Sequence, residues 1–219
     1  MKKARKKMSK TSNLSDSISD IHSSNIDLEN RTIYLQEKED ASSETSGVDF
    51  RMLQGFIKNI NILQNASLDP ITIYMQTVGG CWYSGMGIYD AIKLCKCKVN
   101  IVGYAQVCSM GTIIMQSANR RILTPNCVFM CHYGSSDNSG DYLSSQNFAV
   151  IDKNNCQTMI DIYAEKCIKG KYFKERGDPL SKVKTYIKRK MKDGDWYMTA
   201  AQAVDYGFAD NIFSNSLKI

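Results

Sequence analysis

Val99-Asn100-Ile101-Val102-Gly103-Tyr104-Ala105-Gln106-Val107-Cys108-Ser109-Met110-Gly111-Thr112-Ile113-Ile114-Met115 is the stretch whose reading decides the fold. Two apolar runs meet at Ser109. The first predicts a buried strand over Val99–Ala105 and the second a helix over Met110–Ala118. A catalytic reading of a serine at such a break needs its hydroxyl exposed at the carboxyl end of the strand, beside helix-start amides able to receive negative charge. The chain has two histidines, His22 in a polar leader and His132 at the end of the strand-like Cys127-Val128-Phe129-Met130-Cys131. One candidate base in the body of the chain, with a serine at a strand-to-helix break, points to an activated nucleophile. A serine there can also simply cap the next helix.

Working outward, strand and helix patterns alternate. Residues Arg31–Leu35 read as a short strand, followed by a polar loop and a helix over Val48–Leu63 with apolar residues at three- and four-residue steps. Pro70 opens a strand, Ile71–Met75, which ends at the pair Gly79-Gly80. A helix over Ser84–Leu94 leads into the decisive stretch. This alternation argues for right-handed crossovers and a largely parallel sheet, an α/β fold. Short strands at Arg121–Leu123 and Val128–His132 follow, then a long helix over Tyr142–Ile168. Thr199-Ala200-Ala201-Gln202 reads as a capping box and Gly207 as the stop of a last short helix.

The 219 residues fit one domain with a tail. Residues 1–30 are basic and polar, read as a mobile tail, with the domain over 31–219. The net charge of +6 comes from six lysines and arginines before residue 11; the other 22 basic residues match 22 acidic ones. A neutral body argues against a nucleic-acid-binding domain. The eight cysteines follow no compact disulfide pattern, and no apolar signal segment follows the basic start. They read as reduced thiols in a cytoplasmic protein. The apolar run from Val99 is broken by Asn100, Gln106 and Ser109, a poor membrane span.

Strand alternation puts His132 on the face opposite Cys131, so the two cannot share one metal ion without distortion, and no metal is expected. Nine aspartates follow His132: Asp137, Asp141, Asp152, Asp161, Asp178, Asp193, Asp195, Asp205 and Asp210. Pattern alone does not choose among them as a partner for the imidazole. Asp195 has the best local case, because the apolar Trp196-Tyr197-Met198 follows it; the alternative is a solvated turn at Asp193-Gly194-Asp195. A set in the order Ser…His…Asp disfavours the α/β-hydrolases, which run Ser…Asp/Glu…His. The glycines at 79 and 80 permit positive φ and close backbone approach, either as a tight turn or as an amide donor beside that of Met110.

Four separated segments, Gln76–Asp90, Gly103–Gly111, Val128–His132 and Asp195–Gly207, together resemble the Clp protease proteolytic subunit family, ClpP, over residues 31–213. The resemblance implies a crotonase-like ββα superhelix with Tyr142–Ile168 as a protruding handle helix between two heptameric rings. It implies Ser109 as nucleophile, His132 as general base, Asp195 as the orienting acid, and the Gly80 and Met110 amides as the oxyanion hole. The segment Gly134–Gly140, with Gly134, Ser135 and Ser136 as its named contacts, would pair backbone to backbone with extended substrate. The implied activity is endopeptidase cleavage of unfolded polypeptides in an oligomeric chamber. No cofactor is expected, ATP being used only by a separate AAA+ unfoldase partner. Three positions depart from the family pattern: Val78 for proline, Tyr133-Gly134 for Gln-Pro, and Gly194 for arginine. Readings from other classes are a catalytically silent scaffold subunit and an acyl-CoA enzyme of the crotonase superfamily. A capsid-maturation protease is a variant of the peptidase reading.

Overall fold

The computed structural model describes residues 18–19, 21–36, 47–136 and 140–217. Residues 1–17, most of the expected tail, lie outside the described residues, as do residues 137–139 of the expected substrate-pairing segment. Order begins earlier than Arg31: β1 (Ile26–Asp27) pairs antiparallel with β2 (Thr32–Gln36), and Ile26 joins the core. The turn between them is held by the Asp27 carboxylate, which accepts from the amide and side chain of Asn30.

Four parallel strands form the centre of the sheet. β2 pairs with β3 (Ile71–Thr77), β3 with β4 (Val99–Cys108), and β4 with β5 (Arg120–Leu123). Ile33, Leu35, Ile71, Ile73, Met75, Val99 and Ile101 are buried, in keeping with strands covered by helices. The covers are α1 (Phe50–Ala66), α2 (Trp82–Lys93) and α3 (Met110–Met115). Asp49 starts α1 by accepting from the Met52 amide, and Phe56, Ile60 and Leu63 form its buried stripe.

β4 is longer than its sequence pattern indicates, because a bulge divides it. Met75 pairs with Gly103 but Thr77 with Val107, and Ala105 takes φ +50° within the loop-out. Before the bulge β4 pairs with β5; after it, Gln106–Cys108 pairs with β6 (Val128–Cys131). One edge of β4 thus serves two neighbours in turn while its other edge pairs with β3, and its tip at Ser109 is delivered beside β6.

The C-terminal part supplies the remaining support. α4 (Tyr142–Cys167) is capped by Asp141, and its buried residues, Met159 to Cys167, all lie in its last turns. Its first turns carry exposed Tyr142, Leu143, Val150 and Ile151. Two helices absent from the sequence reading follow, α5 (Lys171–Glu175) and α6 (Leu180–Lys192), the latter burying Val183, Ile187 and Met191. β7 (Trp196–Thr199), read from sequence only as an apolar stretch, pairs antiparallel with β6. The Thr199–Gln202 capping box opens α7 (Ala200–Tyr206), and Gly207 ends it at φ +85°. β8 (Asn211–Ile212) closes the sheet against β5. Among the described residues no helix is long and apolar enough to cross a membrane.

Candidate active site

Ser109 sits in the turn between β4 and α3 with φ +51° and ψ −123°, a conformation costly for a residue with a Cβ. Its amide donates to the Met130 carbonyl at 2.8 Å, tying the turn to β6, and its carbonyl accepts from the Thr112 amide and hydroxyl. The serine stands at the N-cap position, yet its side chain makes no capping hydrogen bond. The hydroxyl is directed instead at His132, Oγ to Nε2 2.7 Å. Of the two roles open to this serine, helix capping is the one its side chain does not fill.

Strand pairing explains how His132 and Asp195 meet. The β6–β7 register matches Cys131 with Trp196, so the next antiparallel pair beyond the strand ends is His132 with Asp195. The His132 Nδ1 and Asp195 Oδ1 are 3.2 Å apart. A carboxylate only accepts, so Nδ1 carries the proton, Nε2 accepts, and the Ser109 hydroxyl donates. The second carboxylate oxygen of Asp195 accepts from the Tyr197 hydroxyl at 3.4 Å. That negative charge is the leading reason the Tyr197 phenol is held above its ordinary value. Behind the strand, Trp196 is buried against Tyr206 and Phe208, so β7 cannot easily slide.

The glycine pair brings the opposite wall close. Gly79 and Gly80 adopt φ +108° and +142°. A Cβ on Gly79 would lie 2.4 Å from the Ser109 Cβ and 2.9 Å from its Oγ. The Gly79 amide donates to the Thr77 hydroxyl, which fixes the turn. The Gly79 carbonyl and the Cys81 amide both bond to Val48, so the intervening Gly80 amide is directed away from Val48. Met110 is the first residue of α3, and its amide has no acceptor within the helix.

Ser109, His132, Gly80, Met110, Gly134 and Ser135 all line one cavity of about 210 Å³. Asp195 stands behind the imidazole, outside that lining, and Ser136 continues on exposed chain without joining it. The sequence reading missed Cys81, Trp82, Ile113, Tyr133 and one face of α4, Asp152, Asn155, Cys156 and Met159, which complete the walls. The three- and four-residue spacing of that α4 face was visible, but nothing in it marks a helix face as cavity wall.

The cysteines are free thiols. Burial pushes Cys127 and Cys131 up to about 12. Cys81 differs: burial would raise it, but hydrogen bonds from Ser84 and the Tyr83 amide outweigh this and lower it. Cys131 is buried against Thr112 while His132 is directed to Ser109. Among the described residues no three potential metal ligands converge.

Comparison with known proteins gives one family. The family model for Clp protease matches residues 28–216. The chain is 27% identical over 183 residues to ATP-dependent Clp protease proteolytic subunit 2 of Pseudomonas aeruginosa, covering 80% of this chain and 81% of that protein. It is 29% identical over 176 residues to proteolytic subunit 3 of Rhizobium etli, covering 78% and 82%. A solved structure of a ClpP1 mutant from Listeria monocytogenes superposes with a TM-score of 0.69 at 22% identity, covering 86% of this chain and 94% of that one. The last likeness establishes the fold, an α/β ClpP architecture as expected. With a family model spanning nearly the whole described chain, this protein belongs to the Clp protease family.

Proposed function

We propose that the chain is a serine endopeptidase in which Ser109 is the nucleophile, His132 the general base and Asp195 its orienting acid. One observation carries this reading: the 2.7 Å hydrogen bond from the Ser109 hydroxyl to an imidazole whose other nitrogen faces a carboxylate. His132 takes the hydroxyl proton as Ser109 Oγ attacks a peptide carbonyl, and returns it to the leaving amine. Asp195 holds the tautomer that makes Nε2 an acceptor and steadies the transient imidazolium. The amides of Gly80 and Met110 receive the oxyanion, each such donor contributing about 3 kcal/mol to the transition state. Water then enters as the second nucleophile, deprotonated by the same imidazole, and frees the acid product. Base, nucleophile and oxyanion donors all come from the chain, so the step calls for no cofactor.

Gly134 and Ser135 border the cavity as exposed chain outside any strand or helix, with main-chain groups free to pair with a substrate backbone. Such pairing reads main chain rather than side chains and fits unfolded polypeptides. The exposed apolar residues in the first turns of α4 support self-association into heptameric rings, singly or as two rings joined through that helix. An AAA+ unfoldase would be a separate, ATP-using partner of this cytoplasmic assembly.

The test is hydrolysis of a fluorogenic peptide amide and of an unfolded protein by the purified chain. Ser109→Ala and His132→Ala are expected to lower kcat by roughly 10⁴-fold or more with the assembly intact. A wild-type chain that assembles yet cleaves neither substrate would favour the silent-scaffold reading instead.

A further inference from the structure

The cavity next to Ser109 has an acidic wall that the triad chemistry does not use. On one face of α4, Asp152, Asn155, Cys156 and Met159 line it; Trp82 and Ile113 are among the apolar residues of the remaining wall. The carboxylate of Asp152 is half-buried, and among the described residues no cation pairs with it. Three other aspartates have a cation partner, Asp161 on the same helix with Lys184 at 2.7 Å, Asp178 with Arg176 and Asp210 with Arg121; what sets Asp152 apart is that it faces the cavity beside Ser109. Asp152 also acts on its neighbour in the cavity. The Cys156 thiol is held above its ordinary value, first by burial and then by the Asp152 charge.

We infer that this cavity selects a basic residue, lysine or arginine, on the acyl side of the scissile bond, with Asp152 as the specificity-determining group. The inference rests on the peptidase reading and names the substrate class of that same site. The side chain of the residue that carries the attacked carbonyl leaves the backbone one bond from the reacting carbon. It must therefore enter the space adjoining Ser109 Oγ and the amides of Gly80 and Met110. That space, about 210 Å³ where a single water needs only ~15 Å³ by the same measure, accepts a long side chain. The methylenes of an arginine or lysine would lie along Trp82, Ile113 and Met159, with the cationic head at Asp152 and Asn155. An acidic side chain would meet a like charge, and an apolar one would desolvate the carboxylate without offering it a partner.

The experiment uses the full chain with fluorogenic peptides that differ only at the residue before the cleaved bond: arginine, lysine, leucine or glutamate. We expect kcat/KM for arginine and lysine to exceed that for leucine by roughly tenfold, equivalent to about 1.4 kcal/mol, with glutamate slowest. Asp152→Asn should erase the arginine-to-leucine ratio, and Asp152→Lys should turn the preference toward glutamate. A merely structural role for Asp152 would slow all four peptides together and leave their ratios unchanged, which overturns the inference. Leucine cleaved as fast as arginine by the wild type also overturns it, while leaving the peptidase reading intact. If no peptide is cleaved and Ser109 takes up no fluorophosphonate, it is the peptidase reading that fails.

Discussion

Replacing Gly79 by alanine tests whether the glycine turn is built to let the nucleophile come close. The added Cβ would sit 2.4 Å from the Ser109 Cβ, 2.9 Å from its Oγ and 3.1 Å from the Cys108 carbonyl oxygen. Carbon atoms pack at about 3.5–4.0 Å, so one wall must retreat by about 1 Å. The φ of +108° adds backbone strain that only glycine avoids. Together these should cost about 2 kcal/mol, seen as a melting temperature lower by about 4–8 °C. A shift of 1 Å also breaks the 2.7 Å contact between Ser109 and His132, which should slow the acylating step about 100-fold. The assay is the rate of fluorophosphonate uptake, followed alongside thermal unfolding. Gly177→Ala is the control: φ there is +62°, but its Cβ would meet nothing within 4 Å. It should lose about 1 kcal/mol from strain alone and react at the wild-type rate. If Gly79→Ala is labelled as fast as Gly177→Ala, the argument from close approach is wrong.

Other outcomes follow from the same geometry. Asp195→Asn should lower kcat by roughly 10³–10⁴-fold while leaving KM for a short peptide nearly unchanged, since the acid orients the imidazole without touching substrate. Stability should fall at alkaline pH, as measured by urea unfolding under reducing conditions. Cys127 and Cys131 are raised from 9.0 to about 12, so their neutral thiols favour the folded state below pH 9. Between pH 9 and about 12 the unfolded chain releases protons that the folded chain holds, and each thiol withdraws roughly 1 kcal/mol per pH unit. Cys131→Ala should flatten that slope, though it also lowers stability at every pH by opening a cavity. Alkylation by iodoacetamide, mapped by mass spectrometry, should reach exposed Cys81 well before Cys127, Cys131 or Cys167, because its thiol is lowered while theirs are raised by burial.

Much of this architecture is legible in the residues because its signals are local. The apolar runs on either side of Ser109, the glycines at 79 and 80 and the Thr199–Gln202 capping box each announce an element without reference to the rest of the chain. The Asp195 assignment was different. Among nine downstream aspartates the local pattern favoured Asp195 without excluding a solvated turn, and the resemblance selected it. The physical reason it meets His132 is the β6–β7 register, a pairing of residues more than sixty positions apart. The β4 bulge escaped for a related reason: a two-residue offset between Met75 and Thr77 is a property of the partner strand, invisible in Val99–Cys108 alone. β1 is only two residues long, too short for any periodicity. α6 is a plainer omission, since Val183, Ile187 and Met191 recur at four-residue steps among lysines, a helical stripe present in the sequence. The Asp152 wall belongs to a third kind. Its residues are spaced as one helix face, but only the tertiary fold turns that face toward Ser109.

The central claim is that His132 activates Ser109 for attack on an acyl or phosphoryl centre, and covalent labelling tests it most directly. Intact-mass measurement after fluorophosphonate treatment, followed by peptide mapping, should find a single adduct on the peptide containing Ser109. His132→Ala should abolish the adduct while the chain remains folded. An adduct on another serine, or an unchanged labelling rate in His132→Ala, would contradict the account.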